Sequence, residues 1–231
     1  MSTEINTTQK VKRFSKTSRV GHWVFALTFF MLYFTALPLY SDFFGWMYPL
    51  MGGPEMARLL HRIFAVVFIA VPVLMLIFDP KSMLFWLKST FTWKKDDLKF
   101  LGQFPKEFFL GKGGGPKQGF YNSGEKLNSL LVILTAVFLI LSGIVMWFPQ
   151  FFSSGVIQWA FPIHNIAFGL SVAVIVGHIF LSIGHPNSKA SLEGMTKGTV
   201  DVEYAKAHHE VWYDELVEKG KIKKDNQDKG A

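Results

Sequence analysis

Four histidines stand inside or at the edge of long apolar runs: His22, His61, His164 and His178. An imidazole in hydrocarbon is costly without a partner, so such a residue defaults to a functional reading. The stretch FPIHNIAFGLSVAVIVGHIFLSI, residues 161–183, carries two of them fourteen positions apart. On a helix that spacing is about 21 Å along the axis. Fourteen steps of 100° fall about 40° short of four turns, so both imidazoles face the same way. Several chemistries can be weighed on this pattern. A single four-histidine zinc site is excluded, because ligands about 2 Å from one ion cannot lie about 21 Å apart. A proton relay would want carboxylates within the apolar runs, and these contain none. For one isolated histidine, a polar contact between helices is as good a reading as ligation. For four at matched depths, haem with two axial imidazoles per iron fits best, the flat macrocycle filling the space between helices.

The elements that must position these residues are read from hydropathy. Of 231 residues, 50% are hydrophobic and 24 are Phe, while 24 Lys and Arg cluster in separate segments. That balance predicts an integral membrane protein and fits nucleic-acid binding poorly. With no Cys, the chain can form no disulfide and can offer no thiolate to an iron–sulfur cluster. Four runs reach the length of about 20 residues that a bilayer core requires: 22–40, 58–78, 127–148 and 162–183. Pro162 is expected at the first helical position of the last, and Pro72 to kink the second. The first run is longer than a signal core and lacks a small-x-small cleavage site, so it reads as a retained signal-anchor helix. The expected fold is an all-α integral membrane protein, a four-helix bundle.

Basic residues orient it. Residues 1–21 hold five Lys and Arg, the connection 79–126 holds nine and the tail from 184 holds eight, whereas 41–57 and 149–161 hold none. The positive-inside rule then puts both termini and the long central loop in the cytoplasm. Within that loop, MLFWLKSTFTW (83–93) and LKFLGQFPKEFFL (98–110) read as helices at the membrane surface, and GKGGGPKQG as a flexible joint. The connection 148–161 reads as a short outer hairpin. The chain divides into a cytoplasmic segment 1–21, a bundle 22–183 and a cytoplasmic tail 184–231, disordered in its final DNQDKGA.

Depth along the spans pairs the histidines, His61 with His164 on the outer side and His22 with His178 on the inner. His185, about 31 Å from His164 along a helix, falls at the helix end, with a quinone or proton path as its functional reading. His208 and His209 lie in a charged tail and are expected to be solvated or in a partner interface. Arg58 and Arg62 flank His61 and read as partners of haem propionates or of a docking subunit, against the simpler reading of snorkelling charges. Gly169 and Gly177 leave room either for a macrocycle or for close helix packing.

The motifs HW at 22–23, RLLH at 58–61, YNSGEK at 121–126, IH at 163–164, LEGMTKGTV and AKAHHEVWY carry a resemblance. With these the chain resembles the cytochrome b (gamma) subunit of respiratory formate dehydrogenase, in the di-haem family that also includes the membrane subunits of nickel–iron hydrogenase and thiosulfate reductase. The resemblance covers about Arg13 to Leu216. It implies haem ligation by His61 and His164 outside and by His22 and His178 inside. It also implies a menaquinone site at His178 and the YNSGEK segment, with Asn122 and Gly124 kept and Glu125 where relatives carry Gln. Glu125 could then donate a proton to reduced quinone, or else Asn122 or Ser123 simply caps the third helix with Glu125 in its first turn. The implied partners are an iron–sulfur (beta) subunit and a molybdenum or tungsten catalytic (alpha) subunit in the bacterial inner membrane, with a higher oligomer of the complex possible. The alternatives are a hydrogenase or thiosulfate reductase subunit, or, in another class, a transporter or scaffold with structural histidines.

Overall fold

The computed structural model describes residues 9–110, 115–184 and 189–222. Its elements, in order, are β1 (Lys10–Lys12), α1 (Lys16–Tyr40), a 3₁₀ segment Asp42–Met47, α2 (Tyr48–Met51), α3 (Pro54–Phe78), α4 (Pro80–Phe91), α5 (Lys95–Leu110), α6 (Ser123–Trp147), a 3₁₀ turn Pro149–Phe151, α7 (Ser154–Ile179) continuing as a π-helical turn Phe180–Gly184, α8 (Lys189–Lys197), β2 (Thr199–Asp201), α9 (Val202–His208) and α10 (Glu210–Glu218). Among the described residues, four helices are long and apolar enough to cross a membrane: α1, α3, α6 and α7 with its π turn. Their most apolar windows are only 11–22% buried within the protein, so most of their surface is apolar and uncovered, which suits lipid.

The chain forms two compact units, 15–85 with 131–176 and 1–14 with 86–130 and 177–231. In the first, α1 and α3 pack closely, whereas among the described residues α6 and α7 approach no other long helix so nearly. An aromatic cluster fills the α1–α3 seam: Phe25 stacks on Phe68 at 4.4 Å between ring centres, with Phe29 edge-on to both. Polar caps fix where the helices begin. Ser15 caps α1 through the Ser18 amide and donates its hydroxyl proton to Asp79. Asp79 in turn accepts from the Ser82 amide at 3.2 Å, capping α4 ahead of Pro80. The turn into α3 runs through Gly52 and Gly53 at φ of 88° and 105°, a region that side chains with a Cβ avoid.

The second unit has a core of water-soluble type. β1 pairs antiparallel with β2, Lys10 opposite Asp201, and Val11, Val200, Ala205, Trp212, Tyr213, Leu216 and Ile222 are buried together. The tail is therefore folded over 189–222. The final DNQDKGA lies outside the described residues, as do His185 and the start of the glycine-rich joint.

Several expectations need correction. Each spanning helix starts four to eight residues before its apolar run; for α1 and α6 the added turn is built on polar capping residues that carry no hydropathy signal. Pro162 lies well inside α7; with α7 starting at Ser154, the expected hairpin at 148–161 is a 3₁₀ turn followed directly by helix. The surface segments 83–93 and 98–110 fall largely on helices α4 and α5. A Cβ added to Gly169 or Gly177 would meet nothing within 4 Å among the described residues.

Candidate functional site

Within the first unit, α3 presents His61 and α7 presents His164, with ring centres 6.5 Å apart and planes at 64°. Each ring is half-buried and anchored at Nδ1 by a hydroxyl from a neighbouring helix. The buried Thr35 of α1 places Oγ1 2.9 Å from His61 Nδ1, and Ser142 of α6 places Oγ 2.9 Å from His164 Nδ1. The next residue on α6 is Gly143, where a Cβ would sit 3.5 Å from His164 Cε1, so the imidazole rests against the helix surface. Next to His61 in the chain, Arg62 lies over the Trp147 ring at 5.3 Å, a cation–π contact. Arg58 is exposed.

This donor set can be tested against haem. With both Nδ1 atoms engaged, the free position on each ring is Nε2. One iron held by two imidazoles at about 2 Å each, with about 1.1 Å from ring nitrogen to ring centre, sets ring centres slightly more than about 6 Å apart. The observed 6.5 Å agrees. Among the described residues no group of three or more His, Cys, Asp or Glu is placed to hold a metal ion directly. Two imidazoles suit an iron whose remaining ligands come from a macrocycle, and the residues fit that group.

His22 belongs to the first unit and packs edge-on to Trp23 at 5.2 Å. His178 belongs to the second unit, where the Asn128 amide nitrogen lies 3.4 Å from its Nδ1. The YNSGEK segment opens α6. Asn122 Oδ1 accepts from the Glu125 amide at 2.8 Å, and the Glu125 carboxylate accepts from the Asn122 amide at 2.9 Å. That reciprocal pair is a capping box, with Gly124 between. Glu125 also pairs with Arg13, whose Nη2 lies 3.0 and 3.2 Å from its two oxygens. The Arg13 side chain is 1% exposed and its guanidinium lies 5.2–5.9 Å from the rings of Phe14, Phe120, Tyr204 and Trp212. Burial is the largest single influence on its pKa and lowers it, but the Glu125 carboxylate together with Tyr204 and Tyr121 more than offsets this, and the net shift is upward.

Three further residues brace this end of α6. Ser123 and Lys126 of its first turn both donate to Asp97 of α5, at 2.8 and 2.9 Å. Burial works to raise the Asp97 pKa, yet these donors and the Lys94 amide hold it below the usual carboxylate value. His209, expected in solvent or an interface, is instead fully buried and reaches Gly119 O through Nδ1 at 2.7 Å. Burial, with Arg13 adding repulsion, pushes its pKa down to about 4.

Thr35, Ser142 and Asn128 escaped the sequence reading. One signal was available: Asn128 and Ser142 are fourteen positions apart on α6, the same spacing as His164 and His178 on α7.

Residues 13–198 match the family described as prokaryotic cytochrome b561. The chain is similar to the formate dehydrogenase cytochrome b556 subunit of Haemophilus influenzae, 29% identical over 226 residues, covering 93% of this chain and 87% of that protein. It is 29% identical over 209 residues to the formate dehydrogenase cytochrome b556(fdo) subunit of Escherichia coli, covering 89% and 93% of the two chains. To the nitrate-inducible formate dehydrogenase cytochrome b556(Fdn) subunit of the same organism it is 26% identical over 215 residues, covering 91% and 93%.

Proposed function

Since the chain belongs to the prokaryotic cytochrome b561 family, we propose that it is the membrane cytochrome b subunit of a formate dehydrogenase, carrying electrons from an iron–sulfur subunit through two b haems to menaquinone near the cytoplasmic face. The observation that carries this reading is the His61–His164 pair, 6.5 Å apart with both Nδ1 atoms engaged. The similarity to formate dehydrogenase subunits over nearly the whole length supports the choice of partner.

The haems supply one-electron transfer when bound; the chain supplies ligands, spacing and surroundings. His61 and His164 hold the outer iron, and His22 and His178, paired by depth in the sequence, hold the inner one. Arg58 and Arg62 supply positive charge for propionates or for the docking subunit. Having no Cys, the chain leaves the iron–sulfur clusters to a beta subunit, and formate is oxidised on a molybdenum or tungsten alpha subunit. The chain sits in the bacterial inner membrane with both termini in the cytoplasm, on the strength of its Lys and Arg distribution. Asn122, Gly124, Glu125 and His178 border the quinone. There, the capping box and Arg13 hold Glu125 as a fixed carboxylate.

Purification of the native complex tests this. Two haems b per chain are expected by pyridine haemochrome, with formate reducing both. His61→Ala and His164→Ala should each remove the same haem, and His22→Ala and His178→Ala the other. A colourless chain would sink the haem reading, and co-purification with a hydrogenase or thiosulfate reductase would replace the partner. Glu125→Gln should leave both haem spectra intact while slowing quinol formation; an unchanged rate removes Glu125 from the quinone chemistry.

A further inference from the structure

Thr35 and Ser142 do more than touch the imidazoles. A hydroxyl has one proton, and in both residues that proton is already committed to the backbone. Thr35 Oγ1 lies 2.9 Å from Met31 O and 3.1 Å from Leu32 O. Ser142 Oγ lies 2.5 Å from Phe138 O. Two oxygens so close need a proton between them, since without it two acceptors would face each other. With its proton on the carbonyl, each hydroxyl oxygen accepts from the neighbouring Nδ1, which then carries the hydrogen. His61 and His164 are thereby fixed as Nδ1–H tautomers, with the Nε2 lone pair bare.

Back-bonding of this kind is common for Ser and Thr in membrane helices. Thr28 and Thr135 show it too, bonding to Val24 O and Leu131 O at 2.8 Å. What sets Thr35 and Ser142 apart is that each hydroxyl oxygen also meets an imidazole on another helix, and that the two imidazoles are those facing one another at 6.5 Å. The arrangement is symmetric across the pair: carbonyl, hydroxyl, Nδ1, ring, then the mirror sequence.

We propose that Thr35 and Ser142 are the positioning residues of the outer haem site, each passing a backbone carbonyl's pull through its hydroxyl to set the tautomer and donor strength of one axial histidine. The inference rests on the haem reading above. A hydroxyl is a weak acceptor beside a carboxylate, so it lends the imidazole only modest extra basicity. Removing it weakens electron donation to iron and favours the reduced state.

The test uses the purified native complex carrying Thr35→Val, Ser142→Ala or both, with Thr35→Ser and Ser142→Thr as controls that keep the hydroxyl. Haem content comes from pyridine haemochrome, midpoint potentials from a redox titration and axial-ligand geometry from EPR of the ferric form. In Thr35→Val and Ser142→Ala, one haem of the two should shift towards Fe(II) by about threefold to tenfold at fixed potential, where tenfold corresponds to about 59 mV for one electron. Its EPR g values should move and the other haem should not. Thr35→Ser and Ser142→Thr should restore the wild-type values. Unshifted potentials and g values with haem retained would overturn the inference. So would loss of the haem in the hydroxyl-keeping controls to the same degree as in Thr35→Val and Ser142→Ala. Wild-type complex without haem would instead overturn the proposed function.

Discussion

Gly143 matters to His164 as a surface, in the way that Ser142 matters as an acceptor. A Cβ there would make ordinary contact with the ring at 3.5 Å from Cε1 and 3.8 Å from Nδ1, while anything longer must push the imidazole off α6. Gly143→Ala should therefore keep a wild-type haem content, and Gly143→Leu should lose one haem of two, as read by pyridine haemochrome. At this scale the histidines were legible because an ionisable group in an apolar run is rare and costly. Thr35, Ser142 and Gly143 were not, since a hydroxyl that back-bonds and a glycine both sit in a membrane helix at little cost. Only the geometry that joins them to an imidazole separates them from Thr28 or Thr135, which back-bond and meet no histidine in the hydrogen bonds seen here.

At the scale of elements, hydropathy located all four spanning helices but not their starts. In two of them the missing turn is built by a polar cap: Ser15 for α1, the Asn122–Glu125 box for α6. Replacing a cap by Ala costs about 1 kcal/mol, so Asn122→Ala should lower the complex's thermal stability modestly, with Asn122→Asp keeping most of it. Arg13→Ala removes more, because it strands Glu125 and empties a space lined by four aromatic rings. Since the Glu125 side chain is 31% exposed, water screens part of the loss, and about 2–3 kcal/mol is expected. Adding Glu125→Gln to Arg13→Ala should recover part of that in a double-mutant cycle; strict additivity of the two changes would show that the ion pair does not couple them.

The second unit was the least legible part of the molecule. Its two strands are three residues each and pair Lys10 with Asp201 across nearly the whole chain, a contact with no local signature in either segment. A charged tail with two histidines reads as solvated until that pairing is known, and then His209 becomes the centre of a core with Trp212 and Tyr204 packed on it. The burial has a thermodynamic consequence. His209 has a folded pKa near 4 against 6.5 unfolded, so the unfolded segment binds the extra proton between those values. Its contribution to stability is fully present above pH 6.5 and is lost as pH falls towards 4, about 2–4 kcal/mol in total. Asp97, whose folded pKa is depressed, loses its contribution only below the ordinary carboxylate range, so the two windows separate. Of the groups that act on His209, burial and then Arg13 lower its pKa most, the Glu125 carboxylate and the Gly119 carbonyl raise it, and the net shift stays downward. Limited proteolysis of the complex between pH 7 and pH 4.5 should show the 199–222 segment opening first at the acid end. His209→Asn keeps a donor for Gly119 O but cannot titrate in this range, so its opening should be flat over the same interval. An unchanged acid slope in that variant would assign the transition to another group.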